Sequence, residues 1–327
     1  MTEQDLMDPQ RQPTLAGVER AAQKIAAILP PTPLLPLDIE GTTIWCKAEG
    51  LQPIGAFKIR GGWHRLTDLD DAQRERGVIA FSSGNHAQGV AWAARRLGVP
   101  ATIIMPEDAP RAKLENTRAL GAEVITYDRM NGNREQLAAD LAQETGAVVV
   151  PSFDDPWIVE GQGSCGVEIR RQMQALTGLE PDQIVVCCGG GGLASGSALA
   201  NPDARIFIVE PEGWDDMKRS LERGEIVPVE PDPPATDCDA LQTFRVSPIT
   251  FDILSARDAT GLTVSEDEVH HAMRVAFEKL HVVVEPGGAV ALGAVLAGKL
   301  PLTNRTAITL SGGNVDNRLF AEIIAGT

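Results

Sequence analysis

Apolar residues recur at helical spacing over residues 14–29, where Leu15, Val18, Ala22, Ile25, Ala26 and Leu29 fall on one face. Pro30-Pro31-Thr32-Pro33 ends that helix and forces an extended segment. A short strand is predicted over 44–49, and a Gly/Pro turn then leads into a helix-forming stretch that begins near Lys58. From Gly77 the pattern becomes a regular alternation. Strands at 78–81, 101–105, 123–126 and 147–150 are separated by helices at 85–97, 110–120 and 134–144, closed by Gly98, Gly121 and Gly146. A helix at 156–176, a strand at 183–188, a helix at 193–199 and a strand at 205–209 follow. The proline- and acid-rich stretch 222–234 breaks the rhythm as a surface excursion. Regular structure returns with a helix at 265–280, opened by the capping box Ser265/Glu268, then a helix at 288–296, a strand at 306–310 and a last helix.

Strand–helix alternation with strands apolar throughout predicts an α/β fold, a parallel sheet covered by helices on both faces. Two such doubly wound layers are expected, a smaller one over 77–152 inserted into a larger one built from 1–76 and 153–327. A chain of 327 residues accommodates one or two domains.

Charge narrows the partners. Twenty-nine basic residues against 45 acidic ones leave a formal charge of −16, which repels nucleic acid and anionic membranes. Any anion must therefore be held by a local cradle of backbone N–H groups. Cys46, Cys165, Cys187, Cys188 and Cys238 are odd in number and lack zinc spacing, so they read as small core residues of a reducing compartment. With no apolar leader in residues 1–13 and no membrane-length apolar run, a cytoplasmic protein is the simplest expectation.

Four segments carry candidate chemistry, and a pair of acids adds a fifth feature. Lys58 follows Phe57 at a helix start, where a second positive charge opposes the helix dipole; a deprotonated amine there could condense with an aldehyde, though a solvated surface lysine fits the position too. Ser82-Ser83-Gly84-Asn85-His86 lies between a strand and a helix, at the sheet edge where ligands bind, or is simply a helix-capping loop. Gly189, Gly190, Gly191 and Gly192 sit where a strand gives way to a helix; bare backbone there surrounds a phosphate well, and the missing Gly-Lys-Ser/Thr continuation disfavours a nucleotide P-loop. Ser311-Gly312-Gly313-Asn314 follows the last strand in the same topological position. Glu210 and Asp216, six residues apart in a predicted loop, could share a hard cation with a backbone carbonyl such as that of Trp214, or be solvated acids of an acidic protein.

In this order the segments resemble the fold-type II pyridoxal-phosphate (PLP) enzymes, the tryptophan synthase β-like fold, and within them the threonine/serine dehydratase and serine racemase family. The strings KAEGLQPIGAFKIRGG, SSGNHAQGVAWAARRLGVPATIIMP, GGGGL and SGGNVD carry the resemblance, which spans about residues 31–317. It implies pyridoxal 5′-phosphate held by Lys58 as a Schiff base, with Phe57 against the ring, Asn85 on the ring hydroxyl, the four glycines on the phosphate and Ser311 facing the ring nitrogen. Ser82, Ser83, Asn85 and His86 would hold the substrate carboxylate. Glu210, the Trp214 carbonyl and Asp216 would take Mg2+ or Ca2+.

The activity so implied is an ammonia-lyase converting L-threonine or L-serine to the 2-oxo acid, with Lys58 removing the α-proton. Ser83 stands where serine racemases carry a second acid/base, which keeps racemisation open. Arg245, in the stretch that meets the substrate side chain, could select a second carboxylate as in threo-3-hydroxyaspartate, or be a surface arginine. A cysteine-synthase-type β-replacement enzyme shares the fold but usually carries threonines in the phosphate loop. The resemblance further implies a homodimer or homotetramer, and because the chain stops soon after the SGGNVD helix, the regulatory C-terminal domain of biosynthetic threonine dehydratases is expected to be absent.

Overall fold

A computed structural model describes residues 8–82, 84–109, 111–128 and 132–326. Among them, ten strands form two sheets. The six-stranded sheet contains β1 (Leu34–Ile39), β2 (Thr42–Ala48), β7 (Gln183–Cys187), β8 (Arg205–Pro211), β9 (Thr260–Val264) and β10 (Thr306–Leu310), in the order β1-β2-β10-β7-β8-β9. The four-stranded sheet contains β3 (Val78–Phe81), β4 (Ala101–Pro106), β5 (Glu123–Tyr127) and β6 (Val148–Val149), in the order β5-β4-β3-β6. Of these strand pairs, β1–β2 is antiparallel and the rest are parallel. The parallel register sets Leu310 beside Ala48 and Cys187 beside Val209. The carboxyl ends of β2, β10, β7 and β8 therefore share one edge, where an open α/β sheet places its ligands.

Backbones approach closely within the larger layer. Helix Pro156–Thr177 packs on helices Leu15–Ala26, Ile59–Thr67 and Gly192–Ala200. A Cβ added to Gly161 would stand 2.6 Å from Gly61 Cα, so a side chain at that crossing would push the two helices apart. Helix Ile59–Thr67 is further held by ions with little access to water. Arg60 donates from Nε and Nη2 to Glu49 (2.7 Å each) and from Nη1 and Nη2 to Glu168 (2.7 and 2.8 Å), while Lys47 Nζ reaches Glu168 at 2.6 Å. Two cations face two anions, so the cluster is neutral, and its hydrogen bonds offset the cost of desolvation.

The alternation seen in the sequence from residue 78 to 211 corresponds to elements at nearly the same bounds. Five further elements were not anticipated: β1, β9, and helices Asp71–Arg76, Asp216–Arg223 and Pro248–Ala256. β1 carries Pro36, tolerated because the strand lies at the sheet edge. β9 carries Gly261, whose added Cβ would meet Lys218 at 2.5 Å. Helix Asp216–Arg223 buries only Asp216, Met217 and Ser220, which leaves almost no apolar period to read. Asp216 thus begins a helix and does not lie in a loop, and Glu210 lies within β8. No helix among the described residues is long and apolar enough to cross a membrane.

Candidate active site

A cavity of about 720 Å³ opens between the two sheets and is lined by Phe57, Lys58, Ser82, Asn85, His86, Gly189, Gly190, Gly191, Gly192 and Ser311. The structure thus brings together every cofactor and substrate residue expected from the sequence except Ser83, which lies outside the described residues. Glu210, Trp214 and Asp216 stand apart from this lining.

Lys58 is the N-cap of helix Ile59–Thr67. Its Nζ donates to the Ser152 carbonyl at 3.0 Å and lies 5.3 Å from the Phe57 ring centroid. No carboxylate pairs with it among the described residues. Loss of water pushes the amine down to about 8. About a tenth of such an amine is neutral at pH 7, far more than of an ordinary lysine, and the neutral form is the one that attacks a carbonyl.

Opposite it, β7 ends and the glycines turn into helix Gly192–Ala200, whose N-cap Gly191 offers no side-chain cap. Gly191 sits at φ +87°, where L side chains are strained, and a Cβ on Gly190 would fall 2.0 Å from the Phe153 ring. The first-turn N–H groups point at the cavity uncapped, the arrangement that holds a phosphate.

Asn85 begins helix Asn85–Leu97 behind Gly84, again with no side-chain cap. Its Nδ2 donates to Glu285 Oε1 at 2.7 Å, and its Oδ1 accepts from Asn314 Nδ2 at 2.7 Å. Asn314 also donates to the Ile54 carbonyl at 2.8 Å. This chain ties the four-stranded layer to the six-stranded one. Glu285, also in the lining, is pushed up to about 7 by burial and by Asp239. His86 lies 2.8 Å through Nε2 from the Val150 carbonyl, and burial and Lys58 push it down to about 3. A neutral ring must donate from Nε2 to that carbonyl, which leaves Nδ1 as an unpartnered acceptor. The ring of His86 thus has no N–H left to offer an anion, and its main-chain N–H is the donor that remains. Ser311, 5% exposed just beyond the end of β10, adjoins the Cys187 thiol.

Sequence reasoning missed Glu285, Cys187, Lys113, Arg134 and Asp239, all of which line the cavity. Glu285 carried a weak signal, an acid closing the apolar run Val282-Val283-Val284 before Pro286. The cation trio has a distinct geometry. Glu210 is fully buried, accepts from the N–H groups of Met217 (3.1 Å) and Lys218 (2.8 Å), and is pushed far up by burial and Asp216. Asp216 has no side-chain hydrogen-bond partner among the described residues and only weak approaches from the main-chain N–H groups of Val246 and of Asp216 itself, and burial pushes this acid up to about 7. Trp214 is buried, its indole donating to the Pro234 carbonyl at 2.9 Å.

A depressed amine, an apolar ring beside it and an uncapped phosphate cradle across the cavity suit a cofactor bearing both an aldehyde and a phosphate. Comparison with known proteins agrees. The family described as pyridoxal-phosphate dependent enzyme matches residues 25–312. L-threo-3-hydroxyaspartate ammonia-lyase from Pseudomonas sp is 41% identical over 94% of this chain and 98% of its own length. Serine racemase from Schizosaccharomyces pombe is 38% identical over 96% and 98%, and L-threonine ammonia-lyase from Thermotoga maritima 38% over 99% and 78%. Among solved structures, a threonine deaminase from T.th. superposes at a TM-score of 0.86 with 42% identity, covering 93% of this chain and 99% of that one. Maize serine racemase superposes at 0.88 with 33% identity, covering 97% and 98%. The chain therefore belongs to the fold-type II family of pyridoxal-phosphate-dependent enzymes, alongside ammonia-lyases and racemases of small amino acids, and pyridoxal 5′-phosphate is its cofactor.

Proposed function

We propose that this protein is an ammonia-lyase that converts a small 3-hydroxy amino acid, L-threonine or L-serine, to the corresponding 2-oxo acid and ammonia. The observation that carries the proposal is Lys58: a desolvated amine facing an uncapped glycine cradle in one cavity.

Bound pyridoxal phosphate supplies an electron-withdrawing ring that acidifies the Cα–H bond of an amino acid. The glycine N–H groups at the start of helix Gly192–Ala200 would hold its phosphate and Lys58 its aldehyde group, with Phe57 against the ring and Ser311 facing the ring nitrogen. The uncapped N–H groups of helix Asn85–Leu97, with the hydroxyl of Ser82, would hold the substrate carboxylate. Asn85, fixed from both sides by Glu285 and Asn314, orients the ring hydroxyl. Once the substrate amine has taken its place on the aldehyde, Lys58 would accept the α-proton as general base, and the 3-hydroxyl would take up a proton and leave as water. Net loss of water leaves an enamine, whose hydrolysis returns that water and releases ammonia. Glu210, the Trp214 carbonyl and Asp216 would bind a hard divalent cation, Mg2+ or Ca2+, which would give the under-satisfied Asp216 oxygens a partner.

A second substrate, threo-3-hydroxyaspartate, is favoured by a separate observation. Arg134 and Arg245 line the cavity mouth, and neither forms an ion pair with a described residue, in a chain that has far more acids than bases. Arg134 rests 5.8 Å from the Phe81 ring. A second substrate carboxylate would give these exposed arginines a counter-ion. Purified holoenzyme is incubated separately with L-threonine, L-serine and threo-3-hydroxyaspartate, and oxo acid is assayed. Turnover that disappears in Lys58→Ala supports the proposal, and oxo acid formed at an unchanged rate by that variant defeats it. Hydroxyaspartate activity that is lost in Arg134→Gln and Arg245→Gln, with threonine turnover retained, selects the second substrate.

A further inference from the structure

Asp237, Glu266 and His270 converge outside the catalytic cavity, from two segments of the chain. His270 Nε2 lies 2.9 Å from Asp237 Oδ2 and 3.8 Å from Glu266 Oε2, and one ligand atom from each residue falls within 4.8 Å of the others. Around an ion bound at about 2.0–2.2 Å, neighbouring tetrahedral ligands stand roughly 3.2–3.6 Å apart. The observed separations bracket that spacing, so small rotations of two side chains close the set. The imidazole side chain is 25% exposed and the carboxylates 39% and 38%, so an ion can enter from solvent without opening the fold.

The Glu266 carboxylate is already oriented. Thr236 Oγ1 donates to Glu266 Oε1, and the Asp237 N–H donates to Glu266 Oε2 at 3.3 Å. Such outer hydrogen bonds hold metal ligands in place. Glu266 and His270 are four residues apart on helix Glu266–Val275 and project from one face.

We propose that Asp237, Glu266 and His270 form a site for a borderline transition-metal dication, with Zn2+ the best match, distinct from the Glu210/Asp216 site. An imidazole with two carboxylates selects zinc-like ions, whereas an all-oxygen set selects Mg2+ or Ca2+. Three protein ligands leave the fourth position to water. The metal pins the root of the segment that roofs the cofactor cradle. Just beyond Asp237, Asp239 and Leu241 line the cavity, and Leu241 Cα and Thr243 Oγ1 lie 3.3 and 3.2 Å from where a Gly189 Cβ would stand. Asp239 also pairs with Lys113 of the other layer at 2.5 Å. A bound ion thus stiffens the large-layer half of this closure.

The test is a titration of Zn2+ into chelator-treated holoenzyme, read by calorimetry and by melting temperature, for wild type, His270→Gln, Asp237→Asn and Glu210→Gln. The glutamine keeps a donor toward Asp237 but is a poor metal ligand, so His270→Gln retains the unliganded fold. Wild type binds one Zn2+ per chain and its melting temperature rises by a few degrees. His270→Gln and Asp237→Asn lose at least about ten-fold in Zn2+ affinity while melting like wild type in chelator, and Glu210→Gln keeps the Zn2+ response. Equal affinity in wild type and His270→Gln overturns the proposal, as does a Zn2+ response lost only in Glu210→Gln. Should His270→Gln melt lower in chelator, the Asp237→Asn affinity decides, and one equal to wild type overturns it.

Discussion

Lys58 differs from an ordinary lysine in having lost its water without gaining a carboxylate. A free lysine keeps its proton to about pH 10.4; here burial brings the amine to about 8. Condensation with an aldehyde needs the neutral amine, so cofactor-stripped protein takes up pyridoxal phosphate at a rate that climbs with pH through about 8 and then levels. Absorbance stopped-flow across that range reads the midpoint, and one near the ordinary lysine value contradicts the desolvation argument. Glu285 shows the opposite consequence of burial. Its folded-state value, about 7, stands above the ordinary 4.5. The carboxyl therefore contributes stability that is complete below the unfolded value and lost as pH rises through the folded one. Glu285→Gln removes that dependence. Relative to wild type, the variant gains roughly 3 kcal/mol in unfolding free energy on going from about pH 4.5 to about pH 8. Parallel denaturant titrations check this, and a pH-independent difference between the two proteins refutes it.

At the scale of elements, the helix that presents Lys58 is held by Arg60 between Glu49 and Glu168. Arg60→Met leaves one buried carboxylate in excess and costs about 3–5 kcal/mol. Arg60→Lys recovers little of it, because a single ammonium cannot span two carboxylates with paired bonds. Unfolding midpoints measure both, and a lysine variant as stable as wild type contradicts the bidentate role. The elements most legible in the sequence were the β3–β6 strands with their helices, because apolar strands there alternate with helices ending in Gly98 and Gly146, both in the left-handed conformation. The elements missed were short ones whose identity comes from tertiary partners. Helix Pro248–Ala256 is largely apolar without a clear period, β9 is interrupted by Gly261, and β1 contains Pro36.

Over the whole molecule, parallel register assembles the cavity. Lys58, the four glycines and Ser311 were legible because each sits in a contiguous string just beyond a strand, and parallel pairing carries such strings to one edge. Glu285, Arg134 and the Asp237–His270 pair were not, since their meaning depends on partners far away in the chain. The cation trio lies between these cases. Its spacing was readable, whereas the burial of both acids and the helix beginning at Asp216 were not. Two buried acids in one place destabilise each other unless a cation lies between them. Chelation therefore lowers the melting temperature, Mg2+ or Ca2+ restores it, and Glu210→Gln abolishes the response to Mg2+ or Ca2+. Indifference of both stability and activity to chelator rules the cation site out.

The central claim is a bond between one nitrogen and the cofactor, and borohydride tests it most directly. Holoenzyme reduced with borohydride, digested and analysed by mass spectrometry carries the pyridoxyl phosphate group on the peptide containing Lys58. The same treatment of Lys58→Ala leaves that peptide unmodified. A modified peptide bearing a different lysine, or no adduct in wild type, contradicts the account.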